Sequence, residues 1–523
     1  MAFQATDKSK RHPMTQQSPF EAAQASASLT AIEADLTRIW IEVLNLERVG
    51  LHENFFDLGG HSLAATQILS RICLMFGVAL SPDSFFAAPT IAGLASRIAE
   101  AVHIQPGAPV SAIPPGPREG PLPLSPAQER LWFLEHLEPN TPLYNIALVL
   151  SLEGSLNIAG LTQALNSLGQ RHAALRATFP QVDGQPVQVI TPHLNLAVPL
   201  TDLKNVPHTE REAQAHQLSR AEAQRPFDLT RGPLIRVALL RLAEERHWLV
   251  LTLHHIISDA WSVDLLKHDL PILYQAGVTG QASPLPDLSI QYADLITWQR
   301  AEAQSERLAA QLTYWQKRLG QAPPRLQLPT DHPRPPQPSH RGASLRLTLS
   351  QSLTAALREL SQQANTTLFM TLLAAFKTLL YRYTGQTDLI LGLPITQRRR
   401  PELEGLISFL VNTLALRTDA SGDPSFRVML ARVKAVALEA YTNQDLPFEK
   451  VIEALQPKGS RDPSPFFQAA LVSHTSPTLP NTELPGLKIT AWRVDTETAK
   501  MDLALFVEEL AHGVALRWEY AAD

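Results

Sequence analysis

From Ile104 to Pro123 the chain reads I-Q-P-G-A-P-V-S-A-I-P-P-G-P-R-E-G-P-L-P, and this stretch constrains everything around it. Proline fixes φ and lacks a backbone N–H, so neither a helix nor a central strand runs through such a segment. The chain therefore folds as separate parts on either side. With 41 prolines gathered in clusters along 523 residues, further joints are expected, and the length predicts two to four domains. Fully extended, about 20 residues reach on the order of 60–70 Å. Residues 104–120 are thus expected to be a linker that leaves the first part tethered and mobile.

The remaining composition mainly excludes. Hydrophobic content of 45% and charged content of 18% describe a globular chain. A net charge of −5 without long basic blocks gives no footprint for nucleic acid. No run of about 18 apolar residues and no charged-then-apolar leader occurs, so no membrane partner is expected. The single cysteine, Cys73, rules out an intramolecular disulfide and suits a reducing cytoplasm. Its apolar surroundings make it a core residue.

Residues 1–29 are polar and aperiodic and read as a flexible arm. From Thr30 the apolar residues Ile32, Leu36, Ile39, Trp40, Val43 and Leu44 recur at helical spacing. A second helix follows E-N-F-F-D-L-G-G-H-S-L (Glu53 to Leu63), with Ile68, Ile72, Met75 and Phe76 on one face. A third spans about Ile91 to Val102. Ser62 opens the second helix directly after Gly59-Gly60, where free N–H groups and the helix dipole favour an attached phosphate. Three readings compete: an N-cap serine, a hydrolase elbow and a modified serine. The elbow nearly fits, since Gly60-His61-Ser62-Leu63-Ala64 approaches G-x-S-x-G. It lacks the strong strand and the large sheet that such a turn needs. D-L-G-G-H-S-L, with F-F just upstream and F-F-A-A-P-T-I downstream, closely resembles peptidyl carrier proteins. That resemblance implies an all-α four-helix domain over 30–103, with 4′-phosphopantetheine attached to Ser62. Asp57 and His61 also match the motif.

After the linker, L-S-P-A-Q-E-R-L-W-F-L predicts a helix with Ser125 as N-cap, Pro126 in the first turn, and Leu131, Phe133 and Leu134 buried. Two apolar runs, Leu234 to Leu242 and His247 to Leu253, read as a hairpin across polar A-E-E-R. The second run ends in L-H-H-I-I-S-D-A-W-S, ahead of a helix from about Val263 to Leu273. His254 and His255 therefore lie where a strand gives way to a loop, a common place for chemistry. Strand side chains alternate between faces, so one histidine can face a cavity while the other packs behind it. His255 is the candidate for the reacting group. Taken alone, such a pair is more often structural than catalytic. Metal binding is not expected, because adjacent histidines diverge and no Cys or His-x-x-x-His partner is near.

His254, His255 and Asp259 match the His-His-x-x-x-Asp-Gly signature of nonribosomal peptide synthetase condensation domains, with Ala260 in the place of glycine. R-H-A-A-L-R-A-T-F (Arg171 to Phe179), S-F-L-V-N-T-L-A-L-R, N-Q-D-L-P-F-E-K and R-D-P-S-P-F-F-Q resemble the same family in its order, across nearly all of 121–523. The resemblance implies an α/β domain of two chloramphenicol-acetyltransferase-like lobes, 121–285 and 286–523, with a tunnel between them. It also implies a closing segment beyond Asp523. The reaction implied is acyl transfer from a donor thioester to an acceptor amine, forming an amide in secondary-metabolite or antibiotic biosynthesis. In that reading Ser62 holds the donor.

The same resemblance assigns His255 to proton transfer, amine orientation or stabilisation of the tetrahedral intermediate, with His254 behind it. Asp259 is a buried anchor whose required cation aligns with Arg398. Arg399 and Arg400 read as a solvated basic patch. The implied partners are an adenylation domain acting upstream or in trans, a phosphopantetheinyl transferase, and a downstream acceptor carrier or free amine. H-H-I-I-S-D with Trp261-Ser262 looks most like domains that take an L-configured donor. Ala260, Asn443 and Gln397 depart from the family pattern at a glycine, a histidine and a glycine. These departures leave open an altered chemistry, such as ester formation or modification of a tethered residue, and a non-catalytic recruitment platform.

Overall fold

Apolar spacing of three and four residues produces the helices of the first unit, and a period of two produces the sheets of the second. The computed structural model describes residues 19–104, 112–116, 118, 120–302, 305–320, 325–333, 335, 339–455, 466–474, 484, 486–510 and 513–523. The chain divides into two compact units, one of residues 1–60 and 68–110 and the other of residues 61–67 and 111–523.

Among the described residues four helices precede the proline-rich segment, α1 (Pro19–Leu44), α2 (Ser62–Phe76), α3 (Pro82–Ala87) and α4 (Ile91–Ile104). Leu36, Trp40, Phe55, Ile68, Ile72, Phe85 and Leu94 are fully buried. The Phe55 ring meets Trp40 at 5.5 Å and Phe85 at 4.9 Å, both edge-on. Three expectations are corrected here. α1 begins at Pro19, upstream of Thr30, because the alanine-rich segment before Thr30 favours helix without any apolar period. The remainder of the expected 1–29 arm lies outside the described residues. Met75, in the last turn of α2, is exposed, and Cys73 is only half-buried.

In the second unit the main strands are β1 (Asn145–Gly154), β2 (Leu200–Asp202), β3 (Ile235–Ala243), β4 (Arg246–His254), β5 (Gly342–Leu349), β6 (Asp388–Thr396), β7 (Val411–Asp419), β8 (Ala469–His474), β9 (Leu487–Arg493), β10 (Leu503–Leu510) and β11 (Gly513–Ala521). They form a five-stranded sheet in the order β9-β1-β4-β3-β2 and a six-stranded sheet in the order β7-β6-β8-β10-β11-β5. Each sheet, with its helices, makes one lobe. β3 and β4 form the expected antiparallel hairpin, and β4 pairs β1 with His254 opposite Asn145.

β9 departs from the expectation that 286–523 forms a single lobe. It pairs with β1 from Leu148 opposite Arg493 to Gly154 opposite Leu487, and so completes the first sheet. Its backbone satisfies the edge of β1, which the local pattern L-K-I-T-A-W-R could not announce. Among the described residues no helix is long and apolar enough to cross a membrane.

The helices that bear on the site are α5 (Pro126–Leu137), α6 (Ile158–Arg171), α7 (His208–Gln224), α8 (Ala260–Thr279) and α9 (Tyr292–Glu302). α5 starts as expected, with a reciprocal capping box between Ser125 and Gln128. Its inward face is not the expected one. Phe133 is 55% exposed, while Gln128, Leu131 and Glu135, spaced by three and four, are buried.

The linker is also less free than its composition suggests. Ile113 is buried among Ile290, Tyr292, Leu295 and Leu406. Gly116 N donates to Asp294 Oδ1 at 2.9 Å, and Arg118 Nη2 to Asp294 Oδ2 at 2.8 Å. Prolines stiffen the backbone, so one apolar anchor and one carboxylate suffice to lay it along α9. Residues 105–111, 117 and 119 of the expected linker lie outside the described residues.

Candidate active site

All residues of β4 from His247 to His254 are buried, so the strand runs through the core and delivers its last residue to the core's edge. A single 3-10 turn, His255–Ile257, then connects it to α8. This turn sends the two histidines apart. His254 is 1% exposed, with Tyr144 and Phe227 beside its ring at 6.2 and 6.1 Å. Its Nδ1 accepts from Ile256 N at 3.1 Å. His255 keeps partial solvent access and packs edge-on against Phe409 at 5.0 Å.

The protonation of His255 follows from its partners. Nδ1 lies 2.8 Å from Ser258 O, and a carbonyl can only accept, so Nδ1 carries the hydrogen. Burial lowers the imidazole well below its ordinary pKa, and the charge of Lys500 acts in the same direction. The ring is therefore neutral near pH 7, with an unprotonated Nε2.

Asp259 and Arg398 come together from opposite lobes. Asp259 caps α8: its Oδ1 accepts from Ser262 N at 2.8 Å and Ser262 Oγ at 2.7 Å. Its Oδ2 accepts from Arg398 Nη1 at 2.5 Å and from Leu410 N at 3.0 Å. Arg398 Nη2 donates to Leu406 O, Ser408 O and Ser262 Oγ. Both side chains of the pair are withdrawn from solvent, at 0% and 2% exposure. The clamp ties the loop after β6 to the turn that carries His255. Trp261 adds a second tie, its indole N–H donating to Glu404 O at 2.8 Å.

Arg399 and Arg400 are not a solvated patch. Arg399 pairs with Asp445, and Arg400 pairs with Glu402 at 2.6 Å. Ala260 opens α8 in helical geometry and is not among the residues with positive φ, so its methyl meets no backbone strain. Asn443 caps a helix C-terminus and gives its carbonyl to Trp315 Nε1 at 2.9 Å. Gln397 bridges loops through its backbone, donating to Leu410 O at 2.8 Å. The R-D-P-S-P-F-F-Q motif lies outside the described residues through Pro465.

Ser62 is the first residue of α2 and partly exposed. The helix is capped by His61, whose Nδ1 accepts from Ala64 N at 3.2 Å, and not by Ser62. Gly59 has φ +82°, and a Cβ on Gly60 would stand 2.5 Å from the Phe55 ring. Only two glycines make this turn. A partly exposed serine at a helix start beside a side-chain-free turn fits a phosphodiester-linked arm.

Four site residues escaped the sequence reading. Ser262 was legible as the third helical residue after an Asp cap. Gln128 and Glu135 lie on the helical line of Leu131. Gln128 Nε2 donates to Ile256 O at 3.1 Å. Lys500 had no local signal; its Nζ stands 5.4 Å from the Tyr144 ring centre.

A family model described as Condensation domain matches residues 118–523, and one described as Phosphopantetheine attachment site matches residues 34–98. Two polypeptides of the linear gramicidin synthase of Brevibacillus parabrevis are similar to this chain. One is 43% identical over 499 residues, covering 95% of this chain and 6% of that protein. Another is 45% identical over 490 residues, covering 93% of this chain and 9% of that protein. The chain thus spans less than a tenth of the length of these relatives. Among solved structures, a complex of the X-domain and OxyB from teicoplanin biosynthesis aligns with a TM-score of 0.71 and 30% identity, covering 80% of this chain and 91% of that chain.

Proposed function

We propose a function from one premise: this chain belongs to the condensation-domain family and carries a phosphopantetheine attachment site ahead of that domain. In our reading it is an acyltransferase of nonribosomal peptide synthesis. It joins an acceptor amine to a donor thioester, giving an amide and a free thiol. The observation that carries the reading is the neutral His255, with Nδ1–H held by Ser258 O on a turn locked by Asp259 and Arg398.

Phosphopantetheine on Ser62 would supply a long, flexible thiol on which an acyl group is carried as a thioester. The residues of this chain do the rest. His255 Nε2 is the group able to accept a hydrogen bond or a proton from the amine as it attacks. Proton transfer by a positioned imidazole is worth about 10²–10⁴-fold in rate. Phe409 restrains one edge of the ring, and the Nδ1 bond fixes its tilt. Asp259 is committed to Arg398, Ser262 and Leu410 N, so it holds the turn and has no role as a base.

Because the attachment site lies upstream, Ser62 carries the donor, and an L-configured residue is the donor proposed. An adenylation domain and an acceptor carrier complete the reaction, and a phosphopantetheinyl transferase modifies Ser62. A cytoplasmic setting suits the single cysteine.

The test loads Ser62 from an acyl-coenzyme A with a phosphopantetheinyl transferase, adds an acceptor carrier or free amine, and follows products by mass spectrometry. Amide product that His255→Ala lowers by at least about 10²-fold is expected. Ester product, or no product with any acceptor, overturns the reading.

A further inference from the structure

α5 buries two polar side chains, and both reach the turn that carries His255. Gln128 Nε2 holds Ile256 O. Glu135, two turns further along the same face, is buried at 7% exposure and points a carboxyl oxygen at His254 Nε2 across 3.7 Å. Glu135 Oε2 and His254 Nε2 are both buried, and among the described residues neither has a hydrogen-bond partner. The separation is beyond a hydrogen bond, but each atom is the other's available counterpart.

The tautomer of His254 follows from its other side. Nδ1 accepts from Ile256 N, so in this arrangement the neutral ring carries its hydrogen on Nε2 and aims it at Glu135. Ile256 is the middle residue of the 3-10 turn, and Ser258 Oγ donates back to His254 O at 3.2 Å. If His254 took the opposite tautomer, Ile256 N would face a second hydrogen, and the turn would lose the bond that shapes it.

We propose that Glu135 is a positioning residue: with Ile256 N on the other edge of the ring, it holds His254 in the Nε2–H tautomer and thereby holds the turn that presents His255. The proposal rests on His255 being the reacting group. Burial lowers the pKa of His254 and Glu135 opposes that shift, in keeping with a carboxyl group facing Nε2. The charged or titratable groups around His254 are Glu135 from α5, Arg236 from β3, Lys500 from the segment before β10, and the neighbouring Tyr144 and His255. Of these, Glu135 is the one that forms a close pair with Nε2.

The test uses the full chain loaded on Ser62 and two variants. Glu135→Leu removes the acceptor, and Glu135→Gln keeps a carbonyl oxygen in its place. Glu135→Leu is expected to lower kcat about tenfold to a hundredfold, with KM for the acceptor unchanged, as expected when a reacting group is displaced by about 1 Å. Glu135→Gln is expected to restore kcat to within about threefold of the parent. Histidine nitrogen NMR is expected to show His254 as Nε2–H in the parent and the Gln variant, and to lose that signature in the Leu variant.

A Leu variant that keeps its kcat within twofold overturns the proposal, as does a Gln variant that falls equally far. If the Leu variant does not fold, the parent decides, because an Nδ1–H signal for His254 overturns the proposal. His255→Ala separates the two readings. If it leaves turnover intact, the proposed function fails at its site. If it abolishes turnover while Glu135→Leu does not, only the role of Glu135 fails.

Discussion

Arg398 Nη1 stands 2.5 Å from Asp259 Oδ2, and the two side chains, one from each lobe, are sealed from water. Breaking a buried pair strands one charge without compensation, which costs about 3–5 kcal/mol. Asp259→Ala and Arg398→Ala are each expected to destabilise the second unit by that amount in denaturant unfolding. Arg398→Lys should also be destabilising, because an ammonium cannot reach Asp259, Leu406 O and Ser408 O with one planar fork. A stable Asp259→Ala protein with full turnover would contradict the clamp.

With His255 as the proposed reacting group, turnover is expected to depend on pH. Its pKa in the folded chain is depressed, so Nε2 stays unprotonated to pH values below the ordinary histidine range. The acid limb of kcat/KM is therefore expected below about pH 6.5. Lys500→Met should move that limb upward, because the ammonium pushes the same way as burial. A limb that stays in place in the Lys500 variant would separate Lys500 from the site.

Stability should follow two further histidines. His172 and His254 are each 1% exposed, and burial lowers both pKa values. Below the unfolded value near 6.5, the unfolded chain binds more protons than the folded one, so stability is full above it and falls as pH drops. Each contributes a slope of up to about 1.4 kcal/mol per pH unit. Melting temperature measured from pH 7 to 5.5 should decline; a flat profile would show that these rings are not held neutral.

In the first unit, Gly60→Ala would place a methyl 2.5 Å from the Phe55 ring, which is itself fully buried. Overpacking of this kind costs about 1–3 kcal/mol. Thermal unfolding of the variant should show that loss, together with slower modification of Ser62. Gly59 has open space beside it but φ +82°, so its alanine variant should suffer through backbone strain instead.

The docked half of the linker predicts a proteolytic signature. Asp294→Ala releases Gly116 N and Arg118 together, and is expected to make cleavage after Arg118 by trypsin markedly faster than in the parent. An unchanged cleavage rate would mean that Ile113 alone holds the segment.

Much of this was legible in order along the chain. The proline stretch separated the units, the hairpin of β3 and β4 followed from a period of two, and the Ser125 cap followed from S-P-A-Q. His254, His255, Asp259 and Ser62 stood in motifs short enough to read locally. Arg398 was reached only through a family resemblance, since the 139 positions separating it from Asp259 hold no physical signal of their pairing.

What the tertiary structure decided has one common cause: hydrogen bonds and burial are satisfied by whatever lies nearest in space, whatever its distance in sequence. β9 left its expected lobe because β1 had an open edge. Ile113 and Gly116 left an apparently free linker because Asp294 and an apolar groove were there to receive them. Phe133 and Glu135 took faces opposite to what their hydrophobicity suggests because the helix turns through a fixed angle per residue, and Glu135 found His254 at the end of that turn. The sequence by itself determined which residues could do chemistry; folding set the two histidines apart, tying one ring into the core and leaving the other its Nε2.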